Sequence, residues 1–350
     1  MSVKKSLARH MPDAGGLRLV SDGELLGNVT EWIPTGFPAL DKIFGGGWPV
    51  GRCTEMFGLE ATGKSALTHM AVKQCQAAGG TALYLDFECS FDKARMVQMG
   101  IDEHRLIYAR PEYAEQGWDI LWKMMDHMEK EPPPAPNLIV WDSVAASVTK
   151  AEMKEENSEQ AHTAVLARCM AKGCRKMFRA IARVRAHMIW TNHAQQKIGG
   201  GARGGFRGAV EWTTPGGGEV KFASSLRVRC AHGKRLKDGD RVSGYQLRVI
   251  TEKCRLIPPH QQCSWVLDFG VGPSQDLTMF YHMLDSRVVK AAGGGLYVGP
   301  WSRKQFHAQN WLSRLAEDPE FRAGAERVYL EKLASGEITG KISFASDDAD

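Results

Sequence analysis

No two of the eight cysteines, at 53, 75, 89, 169, 174, 230, 254 and 263, are spaced C-x-x-C. A structural zinc site is therefore not expected. No apolar run approaches the roughly 20 residues that cross a bilayer, which excludes a transmembrane helix. The lysines within Met1–Arg9 have no apolar stretch behind them, so no secretory signal is visible either. Together these absences point to a cytoplasmic protein with reduced thiols and no membrane partner. A large charge excess is also missing. The 45 basic and 40 acidic residues leave +5, too little to name a nucleic-acid partner from net charge alone. There is no internal repeat. At 350 residues the chain is long enough for one large domain and a smaller one.

What is present is a phosphate cradle. Gly58, Leu59, Glu60, Ala61, Thr62, Gly63, Lys64 and Ser65 spell G-x-x-x-x-G-K-[ST]. An apolar strand, 53–57, precedes them, and a helical pattern with Leu67, Met70 and Ala71 on one face follows. Glycines let backbone N–H groups close on phosphate oxygens, and the helix N-terminus adds partial positive charge. Lys64 can reach the β- and γ-phosphates, and the Ser65 hydroxyl can hold Mg²⁺. A nucleoside triphosphate is the expected ligand.

Strand and helix signals alternate from about Asn28 to Phe269. Strands are predicted at 52–57, 81–87, 106–109, 137–142 and 187–192. A helix is predicted at 117–130, where Leu121, Met124, Met125 and Met128 share a face. Near-continuously apolar strands between helices predict an α/β fold whose mostly parallel sheet is covered on both faces. The Pro132–Pro136 stretch reads as a stiff connector. Leu226–Ala231 and Tyr245–Thr251 flank a polar turn with Asp238-Gly239, and Cys263–Phe269 adds another strand. The sheet is thus predicted to end in an antiparallel extension. Residues 272–336 turn mainly helical, with a glycine-rich break at Ala292–Gly295, and read as a small C-terminal α/β domain. Residues 1–30 are a polar lead with a short helix around Lys4–His10, and 337–350 read as a flexible acidic tail.

Two carboxylates stand at strand ends. Asp142 closes the apolar run from Asn137 and suits a role in orienting the Mg²⁺ shell. Glu88 follows the strand that ends near Phe87, at the sheet edge where open parallel sheets place ligands. It is suited to orienting and deprotonating water, although a solvated or helix-capping glutamate would look the same.

Further short motifs follow in order: after Gly58–Ser65 come Asp86-Phe87-Glu88 with Phe91-Asp92, Val140–Ala146, Lys150-Ala151-Glu152, Asn192 through Gly199, Thr213–Gly217, Lys221-Phe222 and Lys253-Cys254-Arg255. In this set and order the chain resembles the RecA family of recombinases. The resemblance implies a RecA-like P-loop ATPase core over 31–271, using ATP and Mg²⁺. Glu88 matches the family's catalytic carboxylate, Asp92 an adenine-contacting acid and Arg95 a base-stacking position. Lys253 and Arg255 match two cations that reach the ATP of the neighbouring protomer, and residues 1–30 match an oligomerisation segment. As alternate residues of an extended segment the two cations share a face, where they can neutralise charge on a transferred phosphoryl group.

A nucleic-acid surface is predicted separately. After Asn157, Leu166, Met170, Gly173, Met177, Ile181 and Val184 mark one helix face. Arg168, Lys172, Arg175, Arg179 and Arg183 form a stripe about 200° away. A ridge of one sign suits a phosphate backbone, and a solvated basic face is the alternative. By the resemblance, Arg168 and Arg175 contact DNA. Gly199–Gly218 holds nine glycines in twenty residues. With Lys197, Arg203, Phe206, Arg207 and Trp212 it mixes charge and aromatic faces as single-strand binders do, though a flexible linker shares that composition. The resemblance makes 195–218, with Gly216 and Gly217, the second DNA loop, and about 152–162, an acidic stretch, the first. His193 departs from the family, which carries glutamine there; it is read as a sensor coupling ATP to that loop.

The function expected is ATP-dependent pairing and strand exchange between single-stranded DNA and a homologous duplex, in recombination and repair, on a helical filament of this chain. A ring-forming RecA-fold motor and an ATP-gated DNA-binding mediator are the alternatives.

Overall fold

The computed structural model describes residues 28–132, 134–154, 162–196 and 212–341. In chain order its first elements are β1 (Trp32–Ile33), α1 (Pro38–Phe44), β2 (Trp48–Pro49), β3 (Cys53–Gly58), α2 (Lys64–Ala77), β4 (Ala82–Asp86), α3 (Lys93–Gln98) and β5 (Leu106–Ala109). There follow α4 (Ala114–Lys130), β6 (Asn137–Asp142), α5 (His162–Ala180), β7 (Ala186–His193), β8 (Gln195–Gln196), β9 (Trp212–Thr213), α6 (Gly217–Ala223) and β10 (Leu226–Ala231). Next come β11 (Arg235–Asp238), β12 (Arg241–Cys254), β13 (Gln262–Asp268), β14 (Gly272–Ser274) and α7 (Gln275–Asp285). The last are β15 (Lys290–Gly293), β16 (Leu296–Val298), β17 (Phe306–His307), α8 (Trp311–Glu317) and α9 (Pro319–Ser335).

A ten-stranded sheet runs β14-β13-β12-β10-β3-β7-β6-β4-β5, with β11 paired to β12. The strands from β10 to β5 are parallel, and β12, β13 and β14 add antiparallel. Alternate residues feed opposite faces. Tyr84 and Val140 join a cluster with α1, α2, α7 and α9, while Leu83, Leu85 and Trp141 join one with α4 and α5. Both faces are therefore dry, which is why the central strands read as continuous apolar runs. The first cluster extends without a break from Ile33 to Ile338, so residues beyond 272 share the core of the sheet.

The predicted strands 106–109, 137–142 and 226–231 appear with those bounds. Two expectations need correction. The basic helix stops at Ala180 and does not carry Ile181, Arg183 or Val184. Ile181 and Val184 are still buried, which explains their apolar spacing. Arg185 takes a left-handed φ of 47° to turn the chain into β7. The hairpin turn at Gly239 joins β11 to β12, so a further strand stands between the two predicted ones. The C-terminal part is mixed, as expected: beside its helices, β15, β16 and β17 form a small sheet of their own. The Lys4–His10 helix and most of the acidic tail lie outside the described residues.

Helix α5 packs on α4 through Gly173. A Cβ there would lie 2.1 Å from Trp118 Cε2, so any side chain at 173 would drive the two helices apart.

Candidate functional site

The cradle forms where β3 ends. Gly58 must be glycine, since a Cβ would sit 2.3 Å from the Cys230 carbonyl oxygen. Gly63 has φ 82° and would press Leu247 and Trp265 if substituted. Between them Leu59, Glu60 and Ala61 are exposed, and Thr62 folds its hydroxyl onto the Leu59 carbonyl at 2.8 Å. Lys64 opens α2 and turns its ammonium back over the loop, 3.1 Å from the Gly58 oxygen and 2.7 Å from that of Leu59. Burial pulls the Lys64 pKa below its usual value, while Cys230, Glu88, Asp142 and Glu60 act the other way. Ser65 is half-buried in the first turn of α2.

The sheet brings the two strand-end carboxylates to this cradle. Asp142 is buried and receives hydroxyls from Tyr84, at 2.5 Å, and from Thr191. Burial raises its pKa, and those two hydrogen bonds oppose the rise. Asp86 is buried one strand further on. Its Oδ1 accepts the Glu88 and Ser90 N–H groups, and its Oδ2 accepts the Phe91 N–H and the Tyr108 hydroxyl. Asp86 thereby shapes the loop that carries Glu88. Residue His193 lies in register with Gly58, and the next N–H, of Ala194, donates to the Gly58 oxygen at 3.1 Å. From there His193 Nε2 reaches Glu88 Oε1 at 3.2 Å. Asp92 caps α3 by accepting the Arg95 N–H at 3.2 Å, and both side chains are exposed.

Lys253 and Arg255 lie elsewhere. Lys253 is in register with Arg227, which is in register with Glu55, three residues before Gly58. That is about 10 Å down the strand and two strand spacings of about 4.8 Å to the side. Both cations donate to the end of α6: Lys253 Nζ to the Lys221 oxygen at 2.8 Å, and Arg255 Nη2 to the Phe222 oxygen at 3.1 Å. Cations are favoured at a helix C-terminus. Phe222 beside them is 68% exposed, an uncovered aromatic on the same surface.

On α5, Arg168, Lys172 and Arg175 are exposed opposite buried Leu166, Met170 and Met177. Arg183 leaves the ridge and pairs with Glu129 at 3.3 Å. Lys176, not part of the predicted stripe, lies 4.3 Å over the Trp122 ring. Of the second loop, Lys197, Arg203, Phe206 and Arg207 lie outside the described residues. Its downstream end is in view: Trp212 is in β9 with the Arg229 guanidinium 5.9 Å from its ring. Gly216 and Gly217 have φ of 86° and 80°. A Cβ on Gly216 would strike Val144 at 2.5 Å, and one on Gly217 would strike Ala167 at 2.8 Å. The structure thus gives both glycines a packing role beneath the loop.

The sequence profile of the RecA N-terminal domain matches residues 14–274. The chain belongs to the RecA family. Protein RecA of Francisella tularensis subsp. tularensis (strain WY96-3418) is 32% identical over 335 residues, covering 94% of this chain and 88% of the relative. Protein RecA of subsp. novicida (strain U112) is 32% identical over 325 residues, covering 91% and 85%. The α/β sheet with its parallel centre and antiparallel extension is thus a RecA-family fold.

Sequence reasoning missed several polar groups of this RecA-family site: Tyr84 and Thr191 on Asp142, Asp86 under Glu88, and the Glu55–Arg227 pair beneath the cradle. One signal was available. Glu55 interrupts the apolar strand Cys53–Gly58, and a charge inside a buried strand breaks the local rule for a reason.

Proposed function

We propose that this chain is an ATP-dependent DNA recombinase that assembles as a helical filament on single-stranded DNA and pairs it with a homologous duplex. The observation that carries this reading is the distance between Lys253 with Arg255 and the chain's own cradle. Two cations held at the C-terminal end of α6, away from their own cradle, would serve a triphosphate held by a second copy. A head-to-tail contact of this kind builds an open assembly.

ATP would lie along Gly58–Ser65, its phosphates meeting the loop N–H groups, the start of α2 and the Lys64 ammonium. Mg²⁺ takes few protein ligands and prefers phosphate oxygens and water. Among the described residues no cluster of three His, Cys, Asp or Glu side chains could hold a metal unaided. One hydroxyl and one carboxylate, Ser65 and Asp142, are the donor set such an ion uses beside phosphates; when bound it neutralises phosphate charge. Glu88 orients water for attack on the γ-phosphate and takes its proton, giving ADP and phosphate. His193 orients Glu88 and stands at the cradle, so it senses the γ-phosphate and passes its presence into the loop that begins at Ala194. The Lys253 and Arg255 side chains of the next copy stabilise charge on the phosphoryl group in flight.

Single-stranded DNA would lie against Arg168, Lys172 and Arg175 and the second loop. Hydrolysis removes the bridging phosphate and loosens the contact between copies. Among the described residues no helix is long and apolar enough to cross a membrane.

Electron microscopy with single-stranded DNA and a slowly hydrolysed ATP analogue tests the assembly, and a strand-exchange assay tests the activity. Extended spirals and joint molecules are expected. Closed rings, or spirals without exchange, would overturn the reading in favour of a motor or a mediator.

A further inference from the structure

Glu55 stands in the middle of β3, three residues before the cradle, with no exposure to solvent. A carboxylate in that position is costly unless every lone pair is used. Its partners come from three separate parts of the molecule. Oε2 accepts Arg227 Nε from β10 at 2.5 Å. Oε1 accepts both Asn192 Nδ2 from β7 at 3.0 Å and the Thr214 hydroxyl at 2.7 Å.

Each partner leads to a different working part. Asn192 precedes His193, and its Oδ1 accepts the His193 N–H at 3.0 Å. Its amide also donates to the Pro215 carbonyl at 3.0 Å. Thr214 and Pro215 are the root from which α6 springs, and α6 packs on Ala167, next to Arg168. The far end of α6 accepts hydrogen bonds from Lys253 and Arg255. Arg227 is in register with Lys253 and is further held over the Phe57 ring at 4.8 Å.

We propose that Glu55 is a positioning residue that ties the root of α6 to the nucleotide-sensing end of β7, so that nucleotide state is transmitted to DNA grip through one buried carboxylate. The inference rests on the ATP-gated DNA reading above. Glu55 is sealed from the cradle's solvent, so it touches neither ATP nor DNA. The carboxylate is required by the donor count. A glutamine amide offers one acceptor oxygen; with that oxygen on Asn192 and Thr214, its NH₂ faces the Arg227 N–H, donor against donor.

The test uses the full chain. Single-strand affinity is measured with a slowly hydrolysed ATP analogue and with ADP, and the ratio of the two is the readout. DNA-free ATPase, KM for ATP and thermal unfolding are measured alongside. Thr214→Val removes one hydroxyl at constant shape. It is expected to cut the affinity ratio about ten-fold or more, the scale of one hydrogen bond to a charged group. Thr214→Ser, which keeps the hydroxyl, restores the ratio. Glu55→Gln lowers the ratio too, and Thr214→Val costs less in that background than in the unaltered chain, because the bond it then removes is to a neutral amide oxygen. An unchanged ratio in Thr214→Val overturns the tether while leaving the ATP-gated reading intact. A ratio of one in the unaltered chain overturns both. If Glu55→Gln does not fold, the valine and serine pair still decides.

Discussion

His193 Nε2 lies 3.2 Å from Glu88 Oε1, and the two residues are 105 positions apart in the chain. Parallel pairing creates this contact. β7 lies against β3 in a register that sets His193 beside Gly58. The Asp86 carboxylate folds the loop after β4 so that Glu88 turns toward it. Glu88, proposed to orient water, and His193, proposed to sense phosphate, therefore share one hydrogen bond at the mouth of the cradle.

Glu88→Gln keeps the shape and removes the base. DNA-dependent phosphate release should fall about 100-fold or more, while nucleotide binding persists. The filaments seen by microscopy should be longer-lived than those of the unaltered chain. Unaltered turnover in this variant would remove Glu88 from the reaction.

His193→Ala should keep ATP affinity within about five-fold, because an exposed pair contributes at most about 1 kcal/mol. It should lose the stimulation of ATPase by single-stranded DNA. His193→Gln retains a donor toward Glu88 and should recover much of it. Steady-state ATPase with and without DNA separates these outcomes; full stimulation in the alanine variant would reject the sensor.

Lys253 predicts a pH dependence. Burial first, then Arg255 and Arg227, push its pKa down to about 8, against a smaller pull from Glu55. Only the protonated amine attracts a neighbour's phosphates. Its contribution is present below pH 8 and is lost as pH rises through 8. The protein concentration needed for assembly with ATP should rise about ten-fold from pH 7 to pH 9. Lys253→Arg should flatten that rise, since guanidinium stays charged. Light scattering across this range is the measurement.

Arg168 and Arg175 are predicted to meet phosphates. Removing both should weaken binding to all single-stranded sequences alike. It should also lower the slope of log affinity against log salt by roughly 1.4, two contacts at about 0.7 each. A slope that does not move would mean that the ridge only faces water.

Gly216→Ala places a Cβ against Val144 at a left-handed φ. A loss of about 1–3 kcal/mol is expected from strain and overpacking. Denaturant unfolding should show it, and nucleotide affinity in the surviving folded fraction should change little.

Legibility followed sequence distance. The helix face of α5 was readable because its apolar spacing is set within a few turns. Its end at Ala180 was not, because Ile181 and Val184 stay buried in the turn and keep the helical rhythm after the helix has stopped. The antiparallel extension was readable from Leu226–Ala231 and the Gly239 turn, but β11 is short and polar and carries no period of its own. Gly216 and Gly217 read as loop flexibility; what demands them is the approach of Val144 and Ala167, invisible in the local text.

By itself the sequence settled the cradle, since eight consecutive residues between a strand and a helix suffice to wrap a phosphate, and short-range geometry does not depend on the rest of the chain. It also settled the family and the buried parallel sheet, because composition and spacing along each strand record which faces are dry. Tertiary structure alone decided who meets whom at that sheet. Glu55 finds Thr214 and Arg227 across separations of 159 and 172 residues. Strand order and register set those meetings, through hydrogen bonds between backbones whose pairing no single stretch of side chains encodes.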